Sequence, residues 1–254
     1  MAVQFEPIQL SPAHAGMMAL RMRELGYPRI EQHPPLQPVI EQFGTSRGIG
    51  SVVLELGPPI IRHWFVTEDG RRLVQLQPDR LIHNWRKTGS DDEYPRYEGI
   101  RDTFAERFRE FGEFVSEEGL GELRPNQAEV TYVNHIVMDA KQLDGTRLAQ
   151  VMGIAGSNYT DGFLPPAEDT RVVARYVIND ENLPIGRLHI NAHTAIDLEH
   201  AEPLVVVNLT ARGAPSTADI DGVLKFMDLG REWVVRGFAD ATTAVMHEKW
   251  ERTR

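Results

Sequence analysis

The 254-residue chain contains no cysteine. That absence removes disulfides, thiolate metal ligands and a cysteine nucleophile together, and it suits a reducing compartment. No stretch approaches the roughly 18 consecutive apolar residues that a membrane-spanning helix requires. The opening Met1-Ala2-Val3-Gln4-Phe5-Glu6 lacks the basic and apolar regions of a secretion signal. A cytoplasmic protein without membrane segments is therefore expected. Lys and Arg number 27 against 37 Asp and Glu, and no basic run occurs. A net charge of −10 argues against a nucleic-acid partner, because phosphates must be met by an excess of cations. The nucleophile-elbow, HExxH, Walker and dinucleotide-binding glycine signatures are also missing. Neither a metal nor a cofactor is expected.

What remains is ordinary globular material, 41% hydrophobic and 25% charged. Ser11 reads as an N-cap with Pro12 in the first turn and Gly26 as the stop, which predicts a short helix over 12–25. The prolines between 28 and 38 predict an extended surface segment. Short strands are expected at 39–43 and 51–56. Glu68-Asp69-Gly70 turns a hairpin with Trp64 and Val66 before it and Val74 and Leu76 after it. Ile100, Phe104, Phe108, Phe111 and Val115 then recur at three- and four-residue spacing, the apolar stripe of a helix over 97–118. A strand follows at 129–137. The segment 156–169, with its Gly, Pro, Ser, Asn and Asp residues, reads as a candidate lid or binding loop.

The second part repeats this order. Asn179-Asp180-Glu181-Asn182 turns a hairpin within 171–196, a strand covers 204–211, and a helix over 217–238 carries Val223, Leu224, Met227, Val234 and Phe238. Arg72-Leu73-Val74-Gln75-Leu76-Gln77 aligns loosely with Arg187-Leu188-His189-Ile190-Asn191-Ala192. The expected fold is α+β, with duplicated antiparallel sheet-plus-long-helix units packed into one globular body. An N-terminal helix and extended segment (1–34), a first half (35–138), a linker and loop (139–170) and a second half (171–254) would compose it.

Several phrases are familiar together: Leu76-Gln77-Pro78-Asp79-Arg80, Asn84-Trp85-Arg86, Tyr94-Pro95-Arg96-Tyr97 and Glu129-Val130-Thr131-Tyr132-Val133-Asn134-His135-Ile136. Asp228, Arg231, Phe238, Thr242-Thr243, His247 and Trp250 continue the set. Together they resemble a sporadically distributed, uncharacterised family of bacterial proteins of about this length, from Pro34 onward. The resemblance implies a shared architecture and no mechanism. Arg231 departs from it, since the family's pattern has a histidine there.

Three constellations invite a chemical reading. His189, Asn191 and His193 alternate along one strand and project from one face. Residues four apart on a strand are roughly 13 Å apart, so the two imidazoles cannot share one metal ion. A ligand lying along the sheet could contact both, and a solvated sheet face is the plainer reading. Asn134 and His135 share a strand on which neither side is cleanly polar, so at least one should be half-buried and paired. Arg80, Asn84, Trp85 and Arg86 form a polar-aromatic cluster able to hold an anionic or planar group. Its plainer reading is an Arg–Asp ion pair with Trp85 anchoring the core. Near the C-terminus Asp240, Thr243 and His247 have the spacing of a carboxylate–imidazole pair, though Thr242-Thr243 as a helix cap explains the same residues.

These observations favour a non-catalytic interaction or accessory protein of the immunity, antitoxin or chaperone kind, with a basic protein partner and room for a homodimer. The alternative is a small-molecule-binding protein or cofactor-free enzyme, with a site between the halves lined by Trp85, His135, His189 and His193.

Overall fold

The computed structural model describes residues 1–43, 60–89, 91–138, 146–155, 163, 167, 169–197, 200 and 202–251. The strand expected at 51–56 and nearly all of the 156–169 loop lie outside them. The described strands are β1 (Ala2–Phe5), β2 (Arg29–His33), β3 (Arg62–Val66), β4 (Arg72–Gln77), β5 (Arg80–Trp85), β6 (Pro125–Val137), β7 (Arg171–Asp180), β8 (Leu183–Asp197) and β9 (Glu202–Gly213). The helices are α1 (Pro12–Glu24), α2 (Arg96–Glu117), α3 (Thr146–Val151), α4 (Ile220–Ala241) and α5 (Ala244–Lys249), with a one-turn 3-10 helix at Gly153–Ala155.

Local signals act where the sequence places them. Ser11 caps α1 through a hydrogen bond from the His14 amide, with Pro12 in the first turn. Gly119, at φ +62, ends α2, and the Leu120 amide returns to the Val115 carbonyl at 3.0 Å. Glu181 and Asn182 both take positive φ in the β7–β8 turn, the geometry that matches the twist of the flanking strands. Thr243 caps α5, accepting from the Met246 amide.

The duplicated architecture is not what forms. All nine strands belong to one antiparallel sheet of order β2-β3-β4-β5-β1-β6-β9-β8-β7. Period-two alternation marks which face of a strand is buried, but strand order is set by backbone edges, which carry no side-chain signature. The N-terminal strand β1 supplies the clearest case. It was not expected as a strand, yet all four of its residues are buried and it pairs antiparallel with both β5 and β6. The loose alignment of the two parts also fails in register. It sets Leu188, Ile190 and Ala192, which belong to a helix-backed core, against Leu73, Gln75 and Gln77, which point away from α2. A one-residue slip of this kind exchanges the two faces of a strand.

The chain divides into two compact units. Unit 1 is Met1–Glu129 with Gly213–Met227, and unit 2 is Val130–Arg212 with Asp228–Arg254. In unit 1, Phe104, Phe111, Phe114 and Val115 of α2 are buried with Val3, Phe5, Phe65, Val74, Leu76 and Leu81 of the strands. Phe5 and Phe111 stand 5.9 Å apart, ring to ring. In unit 2, Leu188, Ile190, Ala192, Val205, Val207 and Leu209 form the apolar face of the strands, packed with Leu148, Val151 and Met152 and with Val234, Ala241 and Met246. Among the described residues no helix is long and apolar enough to cross a membrane.

One polar residue sits in the apolar face of unit 1. His83 is 1% exposed, and neither ring nitrogen makes a hydrogen bond of normal geometry. Burial, followed by the nearby Met1 amino group, Arg72 and Arg107, lowers its pKa to about 3. The unfolded chain takes up this proton near pH 6.5 and the folded chain only near 3, so stability is lost as pH falls through that window. At about 1.4 kcal/mol per unit the loss reaches roughly 3–5 kcal/mol at the acid end. Urea unfolding at a series of pH values should therefore show wild-type stability falling below pH 6.5 more steeply than that of His83→Leu. Parallel curves would show that His83 does not carry the effect.

Candidate functional site

The face of unit 1 turned away from α2 carries a polar row across four adjacent strands. Gln77 of β4 lies opposite Arg80 of β5, Arg80 opposite Gln4 of β1, and Gln4 opposite Gln127 of β6. Cross-strand partners share a face, so the four side chains form one line perpendicular to the strands. All four are buried, with exposures of 2%, 9%, 5% and 5%.

The chain itself occupies this row. Gln77 accepts from the Leu36 amide at 3.0 Å and donates back to the Leu36 carbonyl at 2.9 Å. Arg80 donates to the Gln37 carbonyl at 3.2 Å and to Gln4 Oε1 at 2.6 Å. Gln4 Oε1 also accepts from the Val39 amide at 2.9 Å, and Gln127 Oε1 from the Glu41 amide at 3.3 Å. The proline-rich stretch is thus a strap laid across the strands, and residues 39–43 form no strand. The lengths agree. Three strand spacings span about 14 Å, and five residues of extended chain span about 15 Å. Prolines suit a backbone held by side chains, because the row needs amides only at Leu36, Val39 and Glu41.

Of the sequence-predicted cluster, Arg80 belongs to this row and Asn84 shares its face, accepting from Gln75 Nε2 at 2.7 Å. Trp85 lies on the opposite face and meets the Tyr94 ring edge-on at 5.4 Å. It is half-exposed and does not anchor the core. Arg86 lies beyond β5 and donates to the Gly70 carbonyl of the hairpin turn at 2.7 Å. The four residues therefore do not converge. Toward β3 the same face places His33 stacked on Trp64 at 3.8 Å, with the Arg62 guanidinium 5.4 Å from the Trp64 ring. Burial, then the Arg80 charge, lowers the Arg62 pKa below the ordinary arginine value.

In unit 2 the strand faces opposite the core are open. On β8, Arg187, His189, Asn191 and His193 line this face, as the alternation predicts, and they stand beside Val177, Arg175, Val173 and Arg171 of β7. On β9 the alternate residues Val206, Asn208, Thr210 and Arg212 do the same. Thr210 bonds Thr131 of β6 at 2.9 Å, which places Thr131, Val133 and His135 on this side too. None of these residues is buried. Asn134 points inward, half-buried, and donates to the Val207 carbonyl at 3.3 Å, while His135 is exposed. His135 and the β8 histidines share a sheet face with β9 between them, two strand spacings or about 10 Å away at the least.

The Thr242–His247 pair does not arm a nucleophile. Thr242 Oγ1 lies 2.8 Å from His247 Nε2, but its hydroxyl donates to the Phe238 carbonyl at 2.7 Å. The imidazole then serves as donor to the hydroxyl, the reverse of a general base. Among the described residues no group of three or more His, Asp or Glu could hold a metal ion.

Gln4, Gln77, Gln127, Arg171, Arg175 and Arg212 were not singled out from the sequence. Gln75 and Gln77, two apart in an otherwise apolar strand, were the legible sign of a polar face. No protein-family profile matches this chain, and no characterised protein or solved structure resembles it significantly.

Removing the Gln77 amide leaves the Leu36 amide and carbonyl without their partner, at a cost of roughly 1–3 kcal/mol for each group that stays dry. Gln77→Leu should lower the urea midpoint, and amide exchange at Leu36 and Val39 should accelerate before that of the strands. Unchanged exchange at Leu36 would show that the strap is held by other means.

Proposed function

We propose that the chain is a non-catalytic protein-interaction module whose contact surface is the open face of β6, β9, β8 and β7 in unit 2. The observation that supports this reading is the chemistry of that face. Its central positions supply three arginines (171, 175 and 187) and three histidines (135, 189 and 193), while carboxylates on the same alternation lie outside this group, Glu129 before Thr131 on β6 and Asp197 at the end of β8. In a chain of net charge −10 this is a local inversion of sign. It redirects the expectation of a basic partner, because this face suits an acidic one.

Valines supply the apolar component. Val133, Val173 and Val177 are 59%, 63% and 44% exposed. Arginine is enriched at protein interfaces, and these valines add apolar area beside it. Nucleic acid fits less well, since no aromatic side chain on this face offers a stacking platform and the net charge repels a long polyanion. Arg171 and Arg175, on the edge strand, make no ion pair among the described residues and are the cations most available to a partner.

The test is retention of an acidic protein from nuclease-treated native-host extract, identified, purified and titrated against the full chain. Substituting Arg171→Glu together with Arg175→Glu should weaken binding by tenfold or more, since each charge pair contributes about 1 kcal/mol or more at an interface. Raising the salt should weaken wild-type binding in parallel. Equal affinity of the double variant, or retention that nuclease abolishes, would end this assignment.

A further inference from the structure

We propose that a separate cavity in unit 2 binds a small amphipathic amine, an apolar body carrying one positive group. The cavity, of about 330 Å³, lies between α4 and the helix-backed side of β7 and β8. That volume is at the lower end of what small-ligand sites use. The site involves the opposite side of the strands from the arginine-rich face, so neither assignment depends on the other.

Helical spacing builds one wall. Glu232, Arg236 and Asp240 recur every four residues on α4, and Trp233, Gly237 and Ala241 follow each by one. Leu188 and Ile190 of β8 give an apolar floor, Tyr176 of β7 adds a ring, and Ile154 of the 3-10 turn also lines the cavity. Gly237 lies against Leu188, where a Cβ would come within 2.5 Å of Leu188 Cδ2. A larger residue at this position would require the Leu188 side chain to turn away.

Charge selects the ligand. Arg236 Nη1 lies 2.6 Å from Glu232 Oε1, so these two neutralise each other. Asp240 is exposed and makes no hydrogen bond or ion pair among the described residues, which leaves the lining one negative charge. Trp233 and Tyr176 supply the ring surface that attracts a cation, and the leucine and isoleucine floor takes an apolar group. An anionic ligand of the same shape would meet the Asp240 carboxylate instead.

The test uses the full chain with labelled Leu and Ile methyl groups, titrated to millimolar concentration with 2-phenylethylamine, 2-phenylethanol and 3-phenylpropanoate. The amine should shift the methyl signals of Leu188, Ile190 and Ile154, and should bind about tenfold more tightly than the alcohol. The carboxylate should bind weakest. Asp240→Asn, an exposed change that leaves the remaining spectrum in place, should cut the amine's advantage over the alcohol severalfold, to what the rings alone contribute. Ile154→Trp, which adds a bulky ring to the lining, should weaken all three. Shifts confined to other methyl groups, no shifts at all, or an amine preference undiminished by Asp240→Asn would each overturn the proposal.

Discussion

The polar row Gln77–Arg80–Gln4–Gln127 is the interaction on which unit 1 turns. A sheet strand presents two faces, and α2 covers only one of them with its phenylalanine stripe. The other face must bury Arg80 and three amides, and each buried polar atom without a partner costs free energy. The strap meets part of this need with backbone groups, since Leu36, Gln37, Val39 and Glu41 offer donors and acceptors to the row. Its prolines reduce the entropy lost on fixing an extended segment. Sheet, row and strap therefore form one hydrogen-bonded system in which Arg80 holds its charge against two carbonyl oxygens.

Unit 2 divides its labour differently. Its helix-backed side is apolar and leaves a cavity with an acidic rim, while its open side gathers arginine and histidine from several strands. The two sides of β7 and β8 thus have opposite chemical preferences. Polar alternation on β8 supplies both, since Leu188 and Ile190 floor the cavity while His189 and Asn191 point the other way.

How far the site could be read in advance varied from residue to residue. His189, Asn191 and His193 share a face because two-residue periodicity is intrinsic to a strand, and that geometry needs no tertiary information. Arg80, Asn84, Trp85 and Arg86 were grouped by nearness in sequence, and the same periodicity sends Trp85 to the far side from Arg80. The local basic patch was invisible for another reason. Arg171, Arg187 and Arg212 lie on different strands, so no run of like charge marks them along the chain. Gln4 was hidden because an isolated four-residue strand carries almost no periodic signal.

The amino-acid order alone determined the elements with local causes: the Ser11 and Thr243 caps, the glycine after α2, the β7–β8 turn and the apolar stripes of α2 and α4. Each depends on residues within a few positions of one another, where short-range sterics and hydrogen bonding decide the outcome. Tertiary structure alone decided the strand order, the central place of β1, the strap over the polar row, the basic face and the cavity beside Gly237. These depend on which backbone edges pair and how closely a helix approaches a sheet. Backbone groups are the same in every residue, so that choice is made only when the whole chain packs.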